Sequence, residues 1–247
     1  MRKQITAAML MLLVTPAFAW AARSTFNYGD LKSSAGKIEM SFAGARISKI
    51  AWIGAARVEL IKEGVVLTAD NVTVYPAQTP PAKPGAKPTA AQDFRPERIV
   101  LKGAKSQIVA EQKGFLLTGK EITIVLPKET GAGEFIETAS AKGGVTFSQS
   151  KTDLKANGKA DSLDLSEKGN RVVLTGGAAV DWTTVTYTTT PAGQKTPQQY
   201  TGNLAGDKIT MTGLLAPPGQ EANPLIFVES REPTSELIIS PTTGNSR

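Results

Sequence analysis

Ile136–Trp182 reads IETASAKGGVTFSQSKTDLKANGKADSLDLSEKGNRVVLTGGAAVDW. Apolar and polar residues alternate through it, a Gly closes each short run, and Ala160-Asp161 stands near the middle. Alternation with a period of two, punctuated by Gly, predicts successive half-buried β-strands.

Two earlier stretches repeat the pattern: ISKIAWIGAARVELIKEGVVLTADNVTV from Ile47 and PERIVLKGAKSQIVAEQKGFLLTGKEITI from Pro96. The distance from the Gly to the first apolar residue after the Ala-Asp position is 18 residues for Gly54 to Val72, 19 for Gly103 to Ile122 and 20 for Gly143 to Leu163. A fourth, more degenerate copy runs from VVLTGGAAVDW to YTGNLAGDKITMTG with a polar segment between. Units that recur in this way cannot bury their own apolar face and must stack on their neighbours, so about four degenerate β-repeats share one core. Apolar spacing nowhere fits a helix over three turns, and the fold class expected is all-β and antiparallel.

The ends and the breaks in the pattern set the organisation. Arg2 and Lys3, an apolar run from Ile5 to Val14, and Ala17-Phe18-Ala19 read as a secretory signal over residues 1–19, the alternative being a retained N-terminal anchor. No later apolar run approaches the length of a membrane span. Residues 20–36 are polar and rich in small side chains, which suggests a flexible N-terminal arm or a first edge strand. The β-domain is expected over 37–240, interrupted by polar insertions at 76–96 and 188–199, where Pro, Lys, Gln and Gly displace strand formers. The first could also be a linker, but it would leave a module too small to hold a core, so an insertion is the better reading. Residues 241–247 are expected to be a disordered tail.

Composition narrows the chemistry. The chain has neither His nor Cys. Ser-His-Asp and Cys-His nucleophile systems, ordinary zinc sites and disulfide frameworks are thereby excluded. No catalytic residue, metal ligand or cofactor is expected, and an enzyme is not; a carboxylate pair acting on glycosides is the chemistry left open. The formal net charge is +6, with basic residues scattered and not in runs, which argues against a nucleic-acid partner.

The order of elements A-x-G-x-V (Ala141, Gly143, Val145), A-D-x-φ-x-φ (Ala160, Asp161, Leu163, Leu165; earlier Ala69, Asp70, Val72, Val74) and V-x-L-x-G (Val172, Leu174, Gly176) resembles the OstA-like family, the LptA/LptC-like periplasmic proteins of lipopolysaccharide transport. Gly119-Lys120 stands where the second copy should have Ala-Asp. The resemblance implies an open-ended, twisted antiparallel β-jellyroll with acyl chains lying between two sheets. It also implies a periplasmic location, an amphipathic envelope lipid as partner, and edge-to-edge strand pairing with other OstA-like proteins or with itself.

On that reading the side chains that alternation places on one face line an apolar trough. They are Ile122, Ile124 and Leu126, Leu163 and Leu165, Ile209 and Met211, and Val72 and Val74, joined by Phe115, Leu117, Val145, Phe147, Val180 and Trp182. The alternative is that the same side chains fill a closed sandwich core, leaving an envelope scaffold that binds partners through its loops. The Asp of the Ala-Asp element (Asp70, Asp161, Asp207) is expected to accept backbone N–H groups beside a bend.

Overall fold

A computed structural model describes residues 23–28, 30–44, 46–77, 95–128, 136–152, 154–167, 171–189, 195–212, 225–229 and 240–242. The expected signal segment and most of the first insertion lie outside them. The strands are β1 (Ser24–Tyr28), β2 (Leu31–Ala35), β3 (Lys37–Ala43), β4 (Arg46–Leu60), β5 (Val65–Pro76), β6 (Pro96–Ala110), β7 (Phe115–Val125), β8 (Thr138–Ser150), β9 (Leu154–Ser166), β10 (Arg171–Thr189), β11 (Lys195–Thr212), β12 (Leu225–Glu229) and β13 (Ser240–Thr242). Among the described residues there is no α-helix; a 3-10 turn lies at Glu111–Lys113. All pairings are antiparallel, in the order β1-β2-β4-β5-β6-β7-β8-β9-β10-β11-β12, with β3 added to β4 and β13 to β11. The first and last strands do not pair, so the sheet stays open.

Each long strand is broken near its middle. Register slips occur between Ile53 and Ala56, Thr68 and Asn71, Lys102 and Ser106, Thr118 and Glu121, Lys142 and Val145, and Thr175 and Ala178. These are β-bulges, which bend a strand and re-aim its side chains. In β5 the buried residues are Val65, Leu67 and Ala69, then Val72 and Val74, with Asp70 and Asn71 both outside. The slip shifts the alternation by one so that both halves keep their apolar side toward the same core. In β8 the bend falls on Gly143 and Gly144, whose φ values of 85° and 70° lie where other residues are strained. Asp70 holds such a bend across strands, its carboxylate accepting the Ala104 N–H at 2.9 Å as the sequence leads one to expect.

The bends divide the sheet into two layers, and its ends show this directly. The first half of β4 pairs with β3, whereas its second half pairs with β2. At the other end β11 pairs with β12 through Lys208–Thr212 and with β13 through Gln199–Thr201. One layer therefore runs from β3 to β12 and the other from β1–β2 to β13. No other described element covers the inner faces, so the two layers cover each other. A hydrogen bond spans them: Trp52 Nε1 in the first layer donates to Ser33 Oγ in the second at 2.7 Å.

Two sequence expectations need correction. Ser24–Tyr28 and Leu31–Ala35 pair as β1 and β2, so this segment is the edge-strand alternative and not a flexible arm; Leu31, Ser33 and Ala35 alternate inward and are buried. Of the segment read as an insertion at 188–199, residues 188–189 and 195–199 belong to the paired strands β10 and β11, with Thr188 opposite Thr196 and Thr189 opposite Lys195, and 190–194 lie outside the described residues. Its many Thr residues are good strand formers, and the polar composition concealed this. In the tail, Pro241 and Thr242 pair with Tyr200 and Gln199.

Candidate functional site

The apolar residues singled out in the sequence fall on the facing surfaces of the two layers. In the first layer a cross-strand row runs Ile50, Val74, Ile99, Ile124, Ala139, Leu165, Val172, Met211. A parallel row runs Trp52, Val72, Leu101, Ile122, Ala141, Leu163, Leu174, Ile209. In the second layer Leu117, Phe147, Gly158, Val180 and Leu204 are aligned, and beyond them Phe115, Gln149, Ala156, Trp182 and Gly202. Residues as far apart in the chain as Ile50 and Met211 thus form a single apolar seam.

The seam is filled along most of its length. Thirteen of the fifteen candidate lining residues are at most 4% exposed, and Leu126 and Trp182 are half-buried against the same cluster. A guest between the layers therefore needs the half-sheets to part. Part of the fit comes from aromatic rings laid over glycines. A Cβ on Gly158 would stand 2.0 Å from the Phe147 ring, and one on Gly202 would stand 2.5 Å from the indole of Trp182. Gly at those two positions is what admits the rings.

At the β3 end the apolar lining reaches solvent. Ile38 pairs with Trp52 and Met40 with Ile50, continuing the two first-layer rows onto an edge strand. Met40 is 39% exposed and Phe42 62%. Among the described strands β3 pairs with β4 alone, so this apolar strip lies beside an unpaired backbone edge. On β3 the Lys37 ammonium bonds Glu39 at 2.6 Å. That hydrogen bond and charge hold the Glu39 carboxyl below its usual range, with a smaller contribution from Lys49.

The hairpin-turn end of the seam is more polar. Gln149 lies on an inward row and donates through Nε2 to the Lys113 carbonyl at 2.7 Å. Burial, and secondarily the Lys151 charge, push the Lys113 ammonium below its ordinary value. Among the described residues no cluster of acidic side chains could hold a metal ion. No described helix is long and apolar enough to cross a membrane. Alternation alone located the inward rows, but it missed Met40 and Phe42, whose value lies in the edge position of their strand.

The chain is similar to LptH. The crystal structure of that protein, described as the LptA homologous periplasmic component of the conserved lipopolysaccharide transport device from Pseudomonas aeruginosa, shares 16% identity with this chain at a TM-score of 0.41. The match covers 73% of this chain and 97% of that one. No family model and no curated protein matches. The architecture described above stands on the strand pairing itself.

Proposed function

We propose that this protein is a non-enzymatic, periplasmic OstA-like lipid bridge, which shelters the acyl chains of an amphipathic envelope lipid such as lipopolysaccharide between its two layers. The observation that carries this reading is an apolar seam, continuous across eight strands of an unclosed sheet, whose lining runs out to solvent at Met40 and Phe42. The OstA-like order of motifs supports the same reading. Unpaired edges at the ends are suited to strand pairing with another OstA-like protein or a second copy.

Energetics limit the role to passive passage. Each buried methylene is worth about 0.8 kcal/mol against water, so one acyl chain gains roughly 8–10 kcal/mol in the seam. A bilayer offers nearly the same. The seam therefore holds lipid in transit but does not extract it, and direction has to come from another component.

A second reading is favoured by one specific observation: residues such as Leu117 and Ile122 have no exposed surface, as in a permanently filled scaffold. Native mass spectrometry of the protein from envelope extract separates the two. Co-purified lipid, lost in Ile124→Asp while circular dichroism keeps its β-signature, is the result expected of a bridge. A lipid-free protein that takes up no added lipopolysaccharide would leave the scaffold.

A further inference from the structure

Two polar atoms of the seam are buried and have no hydrogen-bond partner: Gln149 Oε1 and Trp182 Nε1. Their residues belong to one inward row of the second layer, Gln149 pairing with Ala156 on β9 and Ala156 with Trp182 on β10. Gln149 is 2% exposed. Its amide cannot turn over, because Nε2 is held by the Lys113 carbonyl and the reversed amide would set two oxygens against each other. Oε1 is thus a fixed acceptor within an apolar lining. The Trp182 indole lies over Gly202, and its N–H is a donor on the same row. Two strand spacings, about 10 Å, separate the two backbones, so different groups of a ligand must serve the two atoms. Either atom is unfavourable while unpaired, and a ligand group that pairs it binds the more tightly.

The position of the row matters as much as its polarity. The layers are continuous at the bends, and on β8 the buried Phe147 and Val145 stand between Gln149 and the bend at Gly143 and Gly144. Gln149 is the last inward residue of that strand before the turn. An amphipathic lipid whose tails lie over the inner rows therefore has its chain linkages at this row and its head beyond it. Lys113 and Lys151 stand at the same rim, Lys151 near enough for its charge to disfavour that of Lys113, and an anionic head relieves that repulsion. The carbonyl of any acyl linkage can accept from the indole. Only a linkage with an N–H or O–H can serve the Gln149 oxygen, and an ester has neither.

Within the lipid-bridge reading, on which this rests, we infer that Gln149 and Trp182 form the site for the linkage region of the lipid. This site selects chains joined by an amide, or carrying a hydroxyl beside the linkage, over chains joined by esters alone. The apolar rows supply general affinity for tails, and this row supplies the discrimination.

Two probes test it: ceramide phosphate, which has an amide N–H and a hydroxyl, and phosphatidic acid of matched tail length, which has two esters. Both carry a phosphate head. The full chain is titrated with each in detergent, and bound lipid is read by native mass spectrometry. Ceramide phosphate should bind about tenfold more tightly. In Gln149→Met, which keeps the length of the side chain but has no oxygen, the two should come within about twofold of each other, with Gln149→Leu in reserve should that chain not fold. Trp182→Phe, which keeps a ring over Gly202, should weaken both probes and leave their ratio. Circular dichroism checks the fold of each variant. Equal binding of the two probes by the unaltered protein, or a preference retained without the Gln149 oxygen, overturns the inference and leaves the bridge standing. If neither probe binds, the bridge reading fails and the selectivity falls with it.

Discussion

Two tryptophans, one near each end of the sheet, are finished differently. Trp52 has no exposed surface, and its indole N–H is bonded to Ser33 Oγ. Ser33 in turn donates to the Phe26 carbonyl at 2.7 Å, and the Phe26 ring stands 6.3 Å from the indole. Trp182 is half-buried over a glycine with its N–H unpaired. The first indole is tied by hydrogen bonds to the β1–β2 hairpin of the other layer, while the second is held by packing alone and keeps an unmet donor.

Deleting each ring tests that contrast most strongly. Trp52→Ala should cost about 3–5 kcal/mol of stability in urea unfolding, as for a fully buried aromatic side chain, and Trp182→Ala less than half as much. Equal losses would break the comparison. A finer test removes only polar pairing. Ser33→Ala should cost about 1–3 kcal/mol because it strands the Trp52 N–H in the core, whereas Trp182→Phe should change stability little. The smallest effect lies at the hairpin-turn end, where burial disfavours the charge on Lys113. With its folded-state pKa below the unfolded value, that charge costs stability at neutral pH, and the cost fades as pH rises toward 10.5. Lys113→Gln should therefore gain about 0.5 kcal/mol at pH 7, discounted for its partial exposure, and nothing at high pH. Thermal melts across pH check this, and the gain should combine additively with the loss in either tryptophan variant.

The repeats were legible because each carries its own phase marker. Ala69-Asp70-Asn71-Val72 places two polar residues between apolar ones, and the structure turns that hiccup into a bulge. Lys120, standing where Asp is expected, packs its side chain over Gly143, so the site keeps its place in the fold with a different group. The first hairpin is hidden because two of the three inward positions of β2 are small or polar: Ser33 is buried for its hydrogen bonds and Ala35 for its size. One outward cluster was not legible at all. Asn157, Asp181 and Asn203 occupy the outward positions that any strand fills with polar residues, and only pairing across three strands brings them together. Sequence periodicity separates inside from outside, but two-dimensional register decides which outside residues become neighbours.

From β4 to β11 every long strand bonds to the strand before it and the strand after it in the chain. Such a meander has no long-range crossover to respect, so its overall length is a free variable. A duplicated hairpin inserted at a turn would extend the seam by two strands and leave the register elsewhere untouched, and a lost one would shorten it. A fold of this kind grows by the addition of like units, as its recurrent sequence records.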